Sequence, residues 1–253
     1  MAKQAPTTLP PVEFKALLYG PPGTGKTTFI GSGVHDARSW PGIIIDTENG
    51  TSSIRSKVRR LEISDIKDSV PQEGKYDVVK ITEWDQITEV YNEIAEVGHY
   101  KLVSLDTISE AAYLCLDDIV QEERRTNPKR ANDKEVPELQ DYNVSLTRMR
   151  KVVRYFNNLP GHVIFGCSAG VDIHPRTKMP RAQPGLQGKL VIEMPHLVTT
   201  VGYFDVIEGG DRRLWVSADE KFIAKDRSED RVLDIELVNP TLPQILDLLE
   251  GVK

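Results

Sequence analysis

The sequence predicts an α/β fold in which a mostly parallel sheet carries helices on both faces. Short β-branched strands alternate along the chain with amphipathic helices, and the strands are continuous apolar runs. Late in the chain two apolar strands flank Gly209 and Gly210, which predicts a C-terminal antiparallel hairpin. The length of 253 residues suits one domain of ordinary size.

The hydrophobic spacing along the chain predicts the individual strands and helices. Apolar runs predict strands at 14–19, 42–46, 77–81, 102–106 and 162–166. Steps of three and four predict helices at 84–97, 108–120 and 139–156. Loops are predicted at 124–137 and 170–188, because these segments are rich in charged residues and contain prolines or glycines. A last short strand is expected at 222–224 and a helix at 242–249, with Thr241 as its N-cap.

Three regions are expected: a flexible arm at 1–13, a core at 14–227, and a tail with a short helix at 228–253.

The net charge of −6 excludes a protein coated with basic residues for nucleic acid, but it does not exclude a local basic patch. Two cysteines, Cys115 and Cys167, are too few for a disulfide framework or a four-ligand zinc site. We expect a cytoplasmic protein without a membrane partner, because no apolar run approaches ~20 residues and no secretory signal is present.

A glycine-rich turn directly follows the first predicted strand and opens a helix. It matches G-x-x-x-x-G-K-[ST] at each fixed position, in the structural context that this motif requires. The glycines let backbone N–H groups surround phosphates, Lys26 reaches the β- and γ-phosphates, and the Thr27 hydroxyl binds Mg²⁺. The sequence therefore predicts a site for ATP and Mg²⁺, built from Gly20, Pro21, Pro22, Gly23, Thr24, Gly25, Lys26, Thr27 and Thr28.

Acidic residues follow two of the predicted parallel strands. Asp106 ends the strand at 102–106 and is expected to hold Mg²⁺, although capping of the next helix with Thr107 is the alternative. Glu48 follows the strand at 42–46 and is the expected base that activates water, with Asp46 as its rival. Strand ends at one edge of a parallel sheet converge on the ligand, so these carboxylates should lie together.

This arrangement resembles the RecA-like P-loop ATPases. Glu48 lies on the second strand and no Glu follows Asp106, and the order of elements over roughly 14–227 also agrees. The small size is similar to phage-encoded members, including the Sak-type single-strand annealing proteins. The resemblance implies a RecA-like core in which Lys225 and Arg227, a Lys-x-Arg pair, enter the ATP site of a neighbouring subunit. Two residues apart on a strand, both would project to one side.

One position departs from that family. RecA proteins have a Gln that senses the γ-phosphate at the end of the strand that here reaches Cys167 and Ser168. The Ser168 hydroxyl can still donate a hydrogen bond to a phosphate or water. Coupling of the RecA type, and with it strand exchange, is correspondingly not expected.

The resemblance implies that single-stranded DNA is bound by two loops, here 124–137 and 170–189. Each carries cations that would contact phosphates, and neither has an aromatic side chain for base stacking. The alternative is a pair of solvated loops with mixed charge, and a third basic stretch at 55–67 is interpreted as a solvated helix face. The residues expected to bind DNA are Lys129, Arg130, Arg176, Lys178, Arg181 and Lys189.

The resulting hypothesis is an ATP-dependent single-stranded DNA-binding protein of phage recombination that acts in strand annealing. It would form a homo-oligomeric ring or filament, with a single-strand-binding protein as a further partner. The alternative is a regulatory or loader ATPase that acts on a protein without binding DNA. A small-molecule kinase is the third option, for which the sequence offers neither a lid nor an acceptor pocket.

Overall fold

The computed structural model describes residues 12–127, 130, 136–228, 233 and 236–251. Its helices are α1 (Lys26–Gly31), α2 (Asp85–Val97), α3 (Ile108–Thr126), α4 (Leu139–Asn157), α5 (Leu190–Leu197) and α6 (Leu242–Leu249). Its strands are β1 (Lys15–Tyr19), β2 (Gly42–Asp46), β3 (Val58–Leu61), β4 (Tyr76–Lys80), β5 (Leu102–Asp106), β6 (His162–Cys167), β7 (Ala169–Ile173), β8 (Pro180–Pro184), β9 (Thr200–Val206), β10 (Arg212–Trp215) and β11 (Glu236–Val238). None of the described helices is long and apolar enough to cross a membrane.

A central sheet organises the part of the chain that the structure describes. Its nine strands follow the order β11-β10-β9-β1-β6-β5-β2-β4-β3. All neighbours from β9 to β3 are parallel, whereas β10 and β11 are antiparallel additions at one edge. The predicted α/β class, with its mostly parallel sheet and C-terminal antiparallel hairpin, is confirmed.

Both faces of the sheet are covered, which explains why its central strands are continuous apolar runs. On β1, Leu17 and Tyr19 join the core that packs under α2, α3, α4 and α5. Ala16 and Leu18 point to the other face, where α1 and α6 cover the sheet. Successive side chains of a strand face opposite ways, so a strand covered twice has no polar face.

The register brings the acidic strand ends together at the edge where β1 leads into the glycine-rich turn. Asp46 on β2 pairs in register with Asp106 on β5, which pairs in turn with Gly166 on β6. Parallel strands place their carboxyl ends at the same edge, and the connections that follow these strands form the site.

The segment expected as a loop at 170–188 is a correction to the sequence prediction. It forms the antiparallel β7–β8 hairpin, with Val171 opposite Ala182 and Ile173 opposite Pro180. Its three prolines and Gly170 suggest a loop, but they are compatible with two strands that form a separate sheet, joined to the described core by an isolated bridge between Ala182 and Phe222.

Other local predictions also needed correction. The last strand expected at 222–224 is reduced to isolated bridges at Phe222 and Lys225. Three elements were not predicted: β3 within the polar stretch, the short helix α5, which contains Pro195, and β11. The C-terminal helix is present, and its Leu242, Ile245 and Leu246 join the core beneath α1.

Candidate nucleotide site

The glycine-rich turn curls around the start of α1 because two of its glycines adopt left-handed backbone angles. Gly23 has φ +79°, and Gly25, the N-cap of α1, has φ +96°. A third glycine, Gly20, is required by packing, since a Cβ there would lie 2.4 Å from the Phe204 carbonyl oxygen on β9. The turn is therefore shaped by its own backbone and by the neighbouring strand.

The lysine of the turn lies inside it. Lys26 Nζ donates to the carbonyl oxygens of Gly20 at 2.8 Å and Pro21 at 3.0 Å. Thr24 Oγ1 also donates to the Pro21 carbonyl, at 2.9 Å. Burial lowers the pKa of Lys26, while the nearby Asp106 carboxylate acts in the opposite direction. The ammonium is thus held by carbonyl oxygens of the same turn whose backbone N–H groups are expected to surround a phosphate.

Thr27 and Asp106 form the pair that fits a magnesium ion. Thr27 Oγ1 donates to Asp106 Oδ2 at 2.7 Å, and Asp106 is only 3% exposed. Burial raises the pKa of Asp106 to about 6, opposed by the Thr27 hydrogen bond and reinforced by Asp46. A hydroxyl and a buried carboxylate side by side are oxygen ligands of the kind Mg²⁺ takes, and a bound cation would offset the cost of burying this charge.

Gly166 makes room for that carboxylate. A Cβ at Gly166, the residue in register with Asp106 on β6, would lie 2.4 Å from Asp106 Oδ1. Overlap at that distance would force the carboxylate out of its position. The absence of a side chain at Gly166 is therefore part of the site's construction.

Glu48 and Asp46 have different surroundings, although they are two residues apart. Both Asp46 oxygens already accept hydrogen bonds, from the backbone N–H groups of Glu48, Gly50 and Thr51 and from the Thr51 hydroxyl. Asp46 is 2% exposed and shapes the turn after β2, which leaves it poorly suited to accept a proton from water. Glu48 is exposed and, together with Lys26 and Asp106, lines a cavity at this edge of the sheet. It accepts a 2.6 Å hydrogen bond from Thr107 Oγ1.

Thr107 contacts both Glu48, the expected base, and the first turn of α3, the helix that follows Asp106. Its hydroxyl donates to Glu48 and accepts from the Glu110 backbone N–H, so it caps α3 while it orients the glutamate. Helix capping, the alternative considered for Asp106 together with Thr107, is performed by Thr107. Asp106 remains directed at Thr27.

Arg212 lines the same cavity, and sequence reasoning missed it. It begins β10, which is far from the glycine-rich turn in the chain and reaches it only through the order of the strands. Its place in an antiparallel hairpin gave no sequence signal of a role in the site.

The residues predicted to act on a neighbouring subunit lie elsewhere. Lys225 Nζ donates to the carbonyl oxygens of Val198, at 2.6 Å, and Pro195, near the end of α5. Burial and the adjacent Arg227 lower the pKa of Lys225 to about 8. Arg227 is exposed. In this conformation the lysine is bound within its own chain, and the arginine is the one of the pair that faces solvent.

The predicted DNA-binding residues differ in their availability. Arg176, Lys178 and Lys189 are exposed at or near the β7–β8 hairpin, although Arg176 also pairs with Glu220. Arg181 is less exposed and binds Asp172 at 3.1 Å. Lys129 lies outside the described residues.

Arg130, one of the residues predicted to bind DNA, is paired with an acid in this conformation. Both of its terminal nitrogens donate to Asp141 on α4, each at 2.9 Å, and the residue is 5% exposed. Its guanidinium is occupied by this pair and does not reach a phosphate from here. The pair joins the chain after α3 to the first turn of α4.

Ser168 lies at the position where the resembled family has a sensing glutamine. Its backbone N–H and hydroxyl donate to Ser109 Oγ at 3.0 and 2.9 Å. Its carbonyl oxygen accepts from the Gly185 backbone N–H at 2.8 Å. Ser168 therefore connects the start of α3, directly after Asp106, to the residue that follows β8.

The cradle at the start of α1, the Thr27–Asp106 pair and Glu48 at the same sheet edge define a P-loop ATPase. A family model described as AAA domain matches residues 13–228, and the chain belongs to that family. Among solved structures, the chain is similar to one titled "Crystal structure of the RadB recombinase", with 15% sequence identity, a TM-score of 0.49, and coverage of 88% of this chain and 84% of that chain. No curated protein matches the chain.

Proposed function

We propose that this P-loop ATPase hydrolyses ATP at an interface between its own copies and binds single-stranded DNA through the β7–β8 hairpin. We assign it to phage recombination of the annealing type, on the resemblance carried by Glu48 and Asp106. The observation that carries the hydrolytic part is the convergence of Lys26, the Thr27–Asp106 pair and Glu48 on one cavity.

Each residue has a distinct task in the proposed hydrolysis. Backbone N–H groups of the glycine-rich turn and the Lys26 ammonium bind the phosphates. Thr27 and Asp106 would hold Mg²⁺, which would supply positive charge to the transferring phosphate. Glu48, oriented by Thr107, accepts a proton from the attacking water. Asp106, buried and committed to Thr27, is unsuited to that role.

Binding of DNA is supported by the charge and exposure of the hairpin region. The Arg176 side chain is 81% exposed, and Lys178 in the same hairpin and Lys189 at the start of α5 are also exposed. Cations that neutralise phosphates release counterions, so this binding should weaken steeply as salt rises.

The hairpin is also connected to the nucleotide site. Tyr19, the last residue of β1 before the glycine-rich turn, donates its hydroxyl toward the carbonyl oxygens of Ile223 at 2.8 Å and Ala182 at 3.1 Å. The same oxygen accepts from the Ile223 backbone N–H at 2.9 Å. The Tyr19 side chain thus links β1, which leads into the phosphate loop, to the hairpin and to the segment that leads to Lys225. We propose that this contact couples nucleotide and DNA.

Arg227 is the basis of the proposed assembly between copies of this chain. We propose that Arg227, which is exposed, stabilises charge on the γ-phosphate of a neighbouring copy. Lys225 would join it only after leaving the carbonyls of α5, and we propose this exchange as a step that accompanies assembly.

A second candidate function has its own observation. The hairpin exposes Val171, Ile173 and Met179, with Val171 74% exposed, and two of its arginines already pair with acids. An apolar surface of this kind also suits a protein partner. This favours, as the alternative, a regulatory or loader ATPase that acts on a protein without DNA.

The two candidates are separated by ATP hydrolysis measured with and without a single-stranded oligonucleotide at two salt concentrations. The variants are Lys26→Ala and the hairpin double variant Arg176→Ala/Lys178→Ala. The matched control is Lys151→Ala/Arg154→Ala, which removes the same two charges from the exposed surface of α4.

We expect a Lys26-dependent rate that rises with DNA and falls with salt. The hairpin variant should lose the stimulation but retain the basal rate, and the α4 control should behave as the wild type. A Lys26-dependent rate that ignores DNA at low salt would overturn the DNA proposal and favour the protein partner. A rate unaffected by Lys26→Ala would refute hydrolysis at this site.

A further inference from the structure

Arg212 lies on the face of the sheet that α1 covers. Leu214, two residues further along β10, belongs to the core with Phe29 of α1. Side chains two apart on a strand share a face, so Arg212 points toward α1 as well. Arg213 faces the other way, where it pairs with Asp205 at 2.8 Å and covers the ring of Trp215.

The side chain of Arg212 crosses directly over the glycine-rich turn. A Cβ built on Gly25 would lie 2.4 Å from Arg212 Cδ and 2.7 Å from Nε. Gly25 is the N-cap of α1, and the backbone N–H groups at this turn are those that surround the α- and β-phosphates in this motif. The guanidinium is therefore at the rim of the phosphate cradle.

The backbone of Arg212 is fixed on both sides by one residue. Its N–H donates to Asn239 Oδ1 at 3.0 Å, and its carbonyl oxygen accepts from the Asn239 N–H at 2.6 Å. Asn239 directly follows β11 and also donates from Nδ2 to Asp211 at 2.9 Å. These bonds anchor the arginine at the base of its side chain and leave its charged end uncommitted.

No acidic partner holds the Arg212 guanidinium in the part of the chain that the structure describes. Strand order also separates it from the hydrolytic residues: β10 and β9 flank β1 on one side, whereas β5 and β2, which carry Asp106 and lead to Glu48, lie on the other. The phosphate loop thus has hydrolytic groups on one side and an unpaired cation on the other.

We propose that Arg212 binds the α- and β-phosphates of the nucleotide within its own subunit. The inference rests on the proposed ATPase function and adds a residue to its site. A guanidinium at this position presents several N–H donors to phosphate oxygens that ATP and ADP share. Arg212 therefore determines how tightly both nucleotides bind, and it leaves the hydrolytic step to Glu48.

The test is nucleotide binding to the full chain, measured by calorimetry with Mg·ADP and with a non-hydrolysable Mg·ATP analogue. Arg212→Gln removes the charge and keeps much of the side chain, while Arg212→Lys keeps the charge. Arg154→Gln on the exposed surface of α4 is the charge-matched control, and Lys26→Ala is the variant that abolishes phosphate binding. Thermal unfolding of each variant checks that it is folded.

We expect Arg212→Gln to raise the Kd of both nucleotides by the same factor, about tenfold or more. Arg212→Lys should recover part of the affinity, and Arg154→Gln should match the wild type. If Arg212→Gln leaves the Kd unchanged while Lys26→Ala loses nucleotide affinity, the inference about Arg212 is overturned but the proposed ATPase function is not. Weakened ATP with unchanged ADP would also overturn it, because the contact would then be to the γ-phosphate. A wild type that binds neither nucleotide would overturn the proposed function as well.

Discussion

Replacing Asp106 by asparagine should stabilise the protein in the absence of magnesium. The carboxylate is buried beside Asp46 and Glu48, with Lys26 as the nearby cation, and burial raises its pKa from 3.8 to about 6. An asparagine oxygen can still accept the hydrogen bond from Thr27 Oγ1. The substitution therefore removes a buried charge while it preserves the local contact.

The magnitude follows from the difference in pKa between the folded and unfolded chain. A carboxyl whose pKa rises from 3.8 to about 6 stabilises the fold fully below pH 3.8, and this contribution is lost as the pH rises through about 6. At pH 7.5 the charged form costs about 3 kcal/mol. Removing that cost should raise Tm by roughly 6–12 °C.

The assay is thermal unfolding of the full chain in EDTA at pH 7.5 and at pH 5. Asp106→Asn should exceed the wild type at pH 7.5, and the gap should narrow at pH 5, where the wild-type carboxyl is largely protonated. Glu48→Gln is the matched control, since that carboxylate is exposed and its neutralisation relieves no burial. With Mg·ADP added, the order should reverse, because only the wild type keeps the carboxylate ligand.

An Asp106→Asn variant that melts at or below the wild-type temperature in EDTA at pH 7.5 would refute this reasoning. The carboxylate would then be stabilised in the fold without a metal ion. A gap that persists unchanged at pH 5 would likewise show that its cause is not the ionisation of Asp106.

Three further substitutions address the site and its connections. Glu48→Gln should lower kcat at least about 100-fold and keep ADP affinity, measured by steady-state hydrolysis and titration; a normal kcat would remove Glu48 as the base. Gly166→Ala should displace Asp106 Oδ1, lowering stability in urea by about 1–3 kcal/mol and weakening Mg·ATP binding; full affinity would contradict the contact. Tyr19→Phe should cost about 1 kcal/mol in urea unfolding and reduce DNA stimulation of the ATPase; full stimulation would argue against coupling through its hydroxyl.

Much of the nucleotide site was predictable because its signals are local. The glycine-rich turn is one continuous motif, and Asp106 ends a recognisable apolar strand. The prediction of Glu48 required only the rule that the carboxyl ends of parallel strands converge at one edge of the sheet. The structure adds what distinguishes it from Asp46: the hydrogen bonds that occupy both Asp46 oxygens come from residues that follow it in the same turn.

Other features depend on contacts across the fold that composition does not reveal. Counting cations in the segment at 124–137 suggested a surface for phosphate, but Asp141 on the next helix neutralises Arg130. Arg212 enters the cavity only because β9 and β10 are added beside β1. The β7–β8 hairpin was missed because strands outside the main sheet lack the buried apolar run that identifies a core strand.

The way the β7–β8 hairpin is attached has a consequence for hydrogen exchange. Its two strands form a sheet of their own, and Ala182 is bound to the core segment through an isolated bridge to Phe222, through Lys221 and Ile223, and through the Tyr19 hydroxyl. So few bonds let the hairpin open as a cooperative unit at a lower free energy than the central sheet. A ligand held by the hairpin would therefore slow amide exchange at Ala182 and Ile223 first, while the amides of β1 would continue to exchange only through global unfolding.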